Sequence, residues 1–444
     1  MSVTGAFARF AADSTLPSEA LAAARLCLLD WYGAAIAGAN EAPAQALRRA
    51  LPSTGKARLI ADGAPSCPRT AALINGTASH TVEVDDIYRP GLYHPGVVTI
   101  PAALALAETE STDGGALLDA IAVGYEVGNR IAEAVNPAHY AYWHTTATVG
   151  HFGAAAAAAR ILRLDPDQTA HALATAATMA AGLRQAFSAD AMAKPLHAGR
   201  AAEAGVLAAL AAREGVTGVS DMLEGERGFA AAMVGTVDWA SALRDLGKGW
   251  TITRTTPKAH ACCGHCFAPL DAVQHLMDEH HLQPDAIAAI EISTYRAALD
   301  ICGNPMPRTA AEGRFSLPWC AAVMATQGAV TPASFSDDAM ASERTRALAT
   351  LVTLSVDDGA EARFPHARSA TVRIKLKDGA ALAHDRATRK GDPDDPLSEA
   401  ELQAKFHHLA DPVVGTAAAI NLAEMVRALG PGSGLPHLDQ ASIH

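Results

Sequence analysis

Alanine-rich segments with apolar residues at helical spacing fill roughly the first 240 residues of this 444-residue chain, and they constrain its fold more than any other feature. The spacing predicts helices over Leu21–Ala37, Thr70–Val84, Gly114–Val135 and Thr148–Leu162, among others. Alanine is the best helix former, and its small side chain lets neighbouring helices approach closely. Alternating β-branched runs are scarce here, so the sequence predicts a large all-α helical domain.

The pattern changes near Trp250. Segments Ala286–Thr294 and Leu351–Val356 are typical of strands, and Ser369–Leu376 with Ala380–His384 predicts a β-hairpin around an Asp-Gly turn. The chain then returns to helix. The sequence therefore predicts a mainly α fold, in which an all-α domain (1–250 and 396–444) is interrupted by a smaller α+β domain (251–395).

Composition excludes several classes of protein. Half of the residues are hydrophobic, which supplies a large core, and the net charge of −12 disfavours nucleic acid as a partner. No run reaches the ~18 strongly apolar residues of a spanning helix, and the N-terminus shows no signal pattern. Seven cysteines without a secretory context indicate reduced thiols. We therefore expect a cytoplasmic protein without a membrane or nucleic-acid partner.

Motif searches exclude further chemistry. The chain lacks the glycine-rich loops that hold phosphates or dinucleotides, the G-x-S-x-G nucleophile motif and the H-E-x-x-H zinc motif. No bound cofactor is predicted.

Two polar runs in the first third are candidates for a site. Residues 83–96 place acids, tyrosines and His94 on a loop that follows an apolar helix, where side chains can point into a cleft. Residues 138–146 place Tyr142 and His144 just before a helix start, which favours anions through its free N–H groups. The competing interpretations are a solvated loop and an aromatic packing cluster.

Two later runs add basic residues and thiols. Lys194 precedes a proline, which predicts an extended turn, and there it could serve as a desolvated base or bind a carboxylate; a plain surface lysine is the alternative. Residues 258–266 combine Lys258 with three thiols and two histidines. Structural zinc requires a second, distant Cys or His pair, which is not apparent, so no metal site is predicted.

Taken together, these runs resemble the MmgE/PrpD family, which includes 2-methylcitrate dehydratase, cis-aconitate decarboxylase and iminodisuccinate epimerase. The resemblance covers nearly the whole chain and rests on five segments in the family's order. They are HTVEVDD with the following HPG, WHTTATVGHFGAAAAAARIL, SADAMAKPLHAGRAAEAG, Glu312–Cys320 and Asp395–Phe406. It implies a helical domain with an α+β lid, a homodimer, and an enzyme that needs no cofactor.

The resemblance also implies a site. Carried over by position, the substrate-binding set comprises Glu83, Asp86, His94 and Lys258, to which we add Arg184 and His197, and the catalytic set comprises Lys194 and His144, to which we add Tyr142 and His265. The chain departs from the family pattern at Glu83 (usually aspartate), Ile87 (threonine), Phe267 (histidine) and Trp319 (tyrosine). His265 is the candidate to replace the histidine that falls on Phe267.

The reactions of the family's substrates have one feature in common. An electron pair forms on a carbon next to a carboxylate, and the negative charge that develops there must be stabilised by cations and hydrogen-bond donors. The predicted activity is therefore proton transfer α to a carboxylate of a small polycarboxylic acid, with iminodisuccinate epimerisation as the main interpretation. A 2-methylcitrate-type dehydratase, a cis-aconitate-type decarboxylase and a non-catalytic homologue are the alternatives. Apolar alanine-rich faces also favour a homodimer.

Overall fold

The structure, a computed structural model, describes residues 2–60, 62–187 and 191–438. Contacts between residues divide the chain into two units, one formed by Met1–Pro257 with Glu399–His444 and the other by Lys258–Ser398. Residues 188–190, which belong to the predicted motif around Lys194, lie outside the described part.

The N-terminal part of the first unit is a set of packed helices. Its elements are α1 (Val3–Asp13), α2 (Ser18–Gly38), α3 (Ala42–Ala50), α4 (Pro68–Ser79), α5 (Gly96–Glu110), α6 (Gly114–Val135), α7 (Thr145–Thr148), α8 (Gly150–Ile161), α9 (Pro166–Ala177), α10 (Ala193–Arg213), α11 (Phe229–Met233) and α12 (Trp239–Leu243). Two short strands, β1 (Ala57–Arg58) and β2 (Pro65–Ser66), pair antiparallel between α3 and α4.

The second unit combines helices with a four-stranded sheet. Its helices are α13 (Phe267–Glu279), α14 (Arg296–Cys302), α15 (Ala310–Arg314), α16 (Leu317–Gln327), α17 (Asp337–Met340), α18 (Glu343–Ala349) and α19 (Asp358–Arg363). The strands β3 (Ile287–Thr294), β4 (Val352–Val356), β5 (Ala370–Leu376) and β6 (Ala381–Arg386) lie in the order β4-β3-β5-β6. The pair β3–β4 is parallel and the other pairs are antiparallel, so the predicted strands and hairpin are confirmed.

The chain then rejoins the first unit through α20 (Glu399–Val414) and α21 (Thr416–Arg427). Helix α20 packs against α2, where a side chain in place of Gly33 would contact Phe406 and Leu409. Lys405 of α20 donates hydrogen bonds to Asp30 (2.6 Å) and to the carbonyl of Val84 (2.7 Å). The mainly α prediction is confirmed, while the lid role of the second unit stays a prediction.

Glycines allow α4 and α10 to cross at close range, as the small-residue pattern predicts. A Cβ on Gly199 would lie 2.0 Å from the carbonyl oxygen of Leu73, and one on Gly76 would lie 2.9 Å from the Cα of Gly199. Any larger residue at Gly199 would therefore force the two backbones apart. This crossing fixes α10, and with it Lys194, against the end of α4.

Two helix ends differ from the prediction, and both affect the site. Helix α4 ends at Ser79 rather than at Val84, and Glu83, which the prediction placed in its last turn, lies in the following loop with a left-handed backbone conformation (φ 60°). The prediction of an extended turn at Lys194 is wrong: α10 begins at Ala193, and Pro195 lies in its first turn. Proline is tolerated there because the first N–H groups of a helix lack intrahelical partners.

One helix also corrects the expectation about apolar segments. Helix α2 is long and apolar enough, by length and composition, to cross a membrane. Within this structure 67% of its most apolar window is buried, which is the behaviour of a core helix in a globular unit.

Candidate active site

The loop between α4 and α5 brings two histidines onto one carboxylate. The Nδ1 atom of His80 lies 2.8 Å from Oδ2 of Asp85, and the Nδ1 atom of His94 lies 2.8 Å from the same oxygen. His80 and Asp85 are buried, whereas His94 is partly exposed. Asp85 therefore orients His80 through a hydrogen bond and is in contact with His94, and His94 is the ring of the two that solvent can reach.

Two further imidazoles complete the cluster. The ring of His144 stacks on that of His80 with centroids 5.6 Å apart and an interplanar angle of 16°. Its Nδ1 atom lies 3.2 Å from Nδ1 of His197, which projects from α10. His144 is held just before α7 because its backbone N–H donates to the carbonyl of Gly182 (3.0 Å).

The ammonium group of Lys194 borders the cluster. The Nζ atom of Lys194 forms an ion pair with the carboxylate of Glu83 and lies 5.6 Å from the centroid of the Phe187 ring. The side chains of Lys194 and Glu83 are only 17% and 10% exposed. The left-handed conformation of Glu83 directs its side chain toward α10, so the loop and the helix meet at this ion pair.

Burial favours the neutral form of His80, His144 and His197. Desolvation lowers the pKa of His80 to about 4 in spite of the neighbouring Asp85 carboxylate. Desolvation, together with the charges of the other histidines and Lys194, holds the pKa of His144 well below its usual range, and burial also lowers the pKa of His197. Neutral imidazole can accept a proton at one nitrogen and donate a hydrogen bond from the other.

The acidic pair of the loop divides between two environments. Asp86 points away from the imidazoles, and its oxygens accept hydrogen bonds from the hydroxyl of Tyr125 (2.7 Å) and the N–H of Gly96 (3.0 Å). Burial and the nearby charge of Asp30 raise the pKa of Asp86 to about 7. Both oxygens of Asp86 are therefore engaged inside the helical core, and its role in substrate binding stays a prediction.

Two other predicted residues lie outside the cluster. Tyr142 is 76% exposed, and its backbone carbonyl accepts a hydrogen bond from the backbone N–H of Arg184 (2.9 Å). The guanidinium of Arg184 donates a hydrogen bond to the carbonyl of Tyr140 (2.8 Å), and its central carbon lies 4.3 Å from the centroid of the Tyr140 ring. The structure therefore does not bring Tyr142 to the imidazoles, and it occupies Arg184 with the turn at 140–142.

Lys258 and His265 belong to the second unit. The Lys258 side chain is almost completely buried (2% exposed) and lies close enough to Cys262 to act on its charge. The Nδ1 atom of His265 lies 2.8 Å from the hydroxyl of Tyr295. Burial, with the charges of Arg368 and Arg389, holds the pKa of His265 well below its usual range. Their assignment to the site stays a prediction.

Sequence reasoning missed His80 and Asp85. Both lie in the HTVEVDD motif, in which only the central and final acids, Glu83 and Asp86, were predicted to bind substrate. A histidine at the last turn of a predicted helix, followed five residues later by an aspartate in a loop, was the available signal. Only the fold shows that the chain reverses between them and joins the two side chains.

The His80–Asp85–His94 group also has the residue types of a metal site. Both ring nitrogens lie 2.8 Å from one carboxylate oxygen. Two ligands bound at about 2.0–2.2 Å to one ion and at right angles to each other lie about 2.8–3.1 Å apart, so this spacing suits octahedral coordination as well as a direct contact. The same geometry fits a carboxylate that is hydrogen-bonded to His80 and in contact with His94.

Comparisons with known proteins agree over almost the entire chain. Family models described as the MmgE/PrpD N-terminal domain and the MmgE/PrpD C-terminal domain match residues 5–242 and 260–430. The chain is 28% identical to a cis-aconitate decarboxylase-like protein of Aspergillus oryzae (90% of this chain, 88% of the relative). It is 28% identical to the cis-aconitate decarboxylase of Homo sapiens (82% and 76%) and 26% identical to that of Aspergillus terreus (94% and 90%).

Proposed function

This chain belongs to the MmgE/PrpD family, and we propose that it is a lyase that decarboxylates a small unsaturated polycarboxylic acid of the cis-aconitate type. One observation carries the proposal: the imidazole cluster and the Lys194–Glu83 ion pair lie together in a chain whose named relatives include cis-aconitate decarboxylases. None of the three relatives described above is named an epimerase, so the lyase replaces the epimerase as the main interpretation.

The charges around the cluster suit a polyanion. Lys194 already binds a carboxylate, that of Glu83, and a substrate carboxylate can compete for the same ammonium group. His94 and Lys194 are partly exposed, so they are the groups that a ligand can reach first. The neutral rings of His144 and His197 donate or accept hydrogen bonds behind them.

Decarboxylation requires a place for the electron pair and a proton to replace CO2. Loss of CO2 from a carboxymethyl group beside a C=C bond leaves its bonding electrons on carbon, delocalised over the double bond. One proton then adds to carbon, so the trianion plus H⁺ becomes CO2 and an unsaturated dicarboxylate dianion. We propose that Lys194 stabilises the developing charge and that His144, protonated in the complex, delivers the proton.

A 2-methylcitrate-type dehydratase is the second candidate. A neutral imidazole is a competent base for an α-proton, and the ammonium of Lys194 is a competent acid for a departing hydroxyl. The observation that favours this reading is the neutral state of buried His144. A decarboxylase needs only the acid, whereas a dehydratase needs both groups at once.

A panel of substrates in D2O tests the proposal. Cis-aconitate, 2-methylcitrate, citrate and iminodisuccinate are incubated separately with the protein and followed by proton NMR, with CO2 measured in parallel. We expect CO2 from cis-aconitate and a product that carries one solvent deuteron. The Lys194→Ala variant should abolish this, whereas Lys248→Ala, at an exposed lysine, should not.

The other outcomes contradict the proposal in distinguishable ways. A new vinyl signal from a hydroxy acid without CO2 would identify a dehydratase. Exchange of the α-proton of iminodisuccinate without a new product would restore the epimerase interpretation. No reaction with any of the four, from protein that is folded by circular dichroism, would remove the assignment to this substrate class.

A further inference from the structure

Four buried thiols converge in the second unit. The sulfur atoms of Cys262, Cys266 and Cys320 all lie within 4.8 Å of one another, and their residues are fully buried. The thiol of Cys302, also fully buried, lies outside this group of three and interacts with the thiols of Cys263 and Cys266. They come from three separated segments: the turn before α13, the last residue of α14, and α16.

We propose that this thiol cluster binds one zinc ion, with Cys262, Cys266 and Cys320 as thiolate ligands and Cys302 as the fourth. Each ligand releases its proton when the ion binds, so four thiols and Zn²⁺ give a tetrathiolate complex and four protons. The proposal is independent of the reaction in the first unit.

The geometry is close to that of a structural zinc site. A tetrahedral ion with Zn–S bonds of about 2.3 Å places its sulfurs about 3.8 Å apart. The three grouped sulfurs lie within 4.8 Å, so each pair must approach by no more than about 1 Å, which small changes in χ1 supply.

The chain spacing also fits once the fold is known. Cys262 and Cys266 are separated by three residues, within the two to four that zinc-binding cysteine pairs show. Cys302 and Cys320 provide the second, distant pair whose apparent absence excluded a metal in the sequence analysis. They are 18 positions apart, so no short motif reveals them, and only α14 and α16 bring them to the first pair.

The surroundings of the cluster favour negative charge. Lys258 and His260 both act electrostatically on Cys262. Lys258 is buried, and His260 is oriented by Asp271, whose Oδ1 atom lies 2.9 Å from its Nε2 atom. A tetrathiolate zinc complex carries two negative charges, and a buried ammonium nearby offsets part of the cost of burying them.

The competing explanation is that these cysteines only fill space. Buried cysteine behaves as a small hydrophobic residue, and in that case alanine would replace it at the cost of a cavity alone. A residue that only fills space needs the right volume, and it does not need to place its sulfur atom next to other sulfur atoms. The two explanations therefore differ in whether the folded chain holds a metal and in whether loss of one thiol abolishes that binding.

The experiment uses the full chain, purified under reducing conditions. Zinc is measured by elemental analysis, and the protein is then stripped and titrated with Co²⁺, whose bonds to thiolates produce a sulfur-to-metal charge-transfer band. We expect one zinc per chain, a band that saturates at one equivalent of Co²⁺, and loss of both in Cys320→Ala. Cys67→Ala, which removes a thiol of the first unit, should retain both.

A second variant covers the case in which Cys320→Ala does not fold. Cys302→Ala leaves the three grouped sulfurs, so it should bind Co²⁺ more weakly and with a less intense band. The proposal is overturned if reduced, folded wild-type protein contains no zinc and develops no charge-transfer band. It is equally overturned if a folded Cys320→Ala variant keeps the band unchanged.

Discussion

Replacement of Asp86 by asparagine tests the electrostatics of the site loop most directly. The Asp86 carboxyl accepts hydrogen bonds from Tyr125 and from the N–H of Gly96, and burial with the charge of Asp30 raises its pKa to about 7. Asparagine has the same shape, retains the bond to Gly96 and carries no charge. The variant Asp86→Asn therefore imitates the protonated acid at every pH.

The size of the effect on the free energy of unfolding follows from the difference between the pKa of Asp86 in the folded protein, about 7, and its ordinary value of 3.8. Below pH ~4 the carboxyl is neutral in both states, so the folded protein loses nothing. As the pH rises toward 7, the unfolded chain releases its proton while the folded protein keeps it, and the free energy of unfolding falls. At about 1.4 kcal/mol per pH unit the total loss is about 4 kcal/mol, of which about 2.5 kcal/mol falls between pH 5 and pH 8.

The assay is denaturant unfolding of the wild type and Asp86→Asn, followed by circular dichroism at pH 5 and pH 8. Other titrating groups cancel in the comparison, so the variant should gain about 2.5 kcal/mol relative to the wild type over that interval. Asp113→Asn is the control that should show no change over this interval: the N–H groups of Ala116 and Gly432 lower the pKa of Asp113 from 3.8, so its carboxyl is ionised in both the folded and the unfolded state from pH 5 to pH 8. Equal pH dependence of the wild type and Asp86→Asn would refute the reasoning.

Four further predictions concern the site and the assembly. Lys194→Met should lower the free energy of unfolding by about 2–3 kcal/mol, because it leaves the Glu83 carboxylate without its ion-pair partner. Adding Glu83→Gln should restore stability but not CO2 release, because the site would still lack the ammonium group that binds the substrate carboxylate. Gly182→Ala should lower kcat/KM by at least about 100-fold, because the new Cβ would lie 2.2 Å from that of Ala147 and displace the carbonyl that holds His144; a stopped assay of CO2 measures it. Calorimetric binding of a tricarboxylate analogue in buffers of different ionisation enthalpy should show uptake of about one proton, because an anion beside His144 raises its pKa; equal heats would contradict this. We also propose a homodimer, which sedimentation at micromolar protein showing only a 45.8 kDa species would contradict.

Much of the fold could be predicted because its elements have strong local signals. Apolar periodicity predicted the long helices, and alternation with an Asp-Gly turn predicted β3 to β6 within a few residues. Helix ends were less accessible. Glu83, in the loop after α4, adopts a left-handed conformation that no local pattern indicates, and α10 crosses α4 through residues more than 120 positions apart.

The site was partly predictable because several of its residues also lie in segments with strong local signals. His94, His144, His197, Lys194 and Glu83 were named from the sequence, and the structure brings them together. The sequence could not decide between adjacent Asp85 and Asp86, because only the direction of the backbone turn shows which of them faces the histidines. It also could not relate Cys302 and Cys320 to the earlier pair, since their contact depends on tertiary structure.

The charge state of the free cluster bears on how a decarboxylase could obtain its proton. Burial keeps His80 and His144 neutral, and the ammonium of Lys194 is paired with Glu83, so a polyanion must compete with Glu83 for that ammonium group. A substrate carboxylate beside His144 raises the pKa of its imidazole, since a nearby anion favours the imidazolium form that desolvation disfavours. Substrate binding then draws from solvent onto His144 the proton that the carbanion needs after CO2 leaves. We infer that desolvation of His144 couples substrate binding to proton delivery, so substitutions that expose this ring should weaken both together.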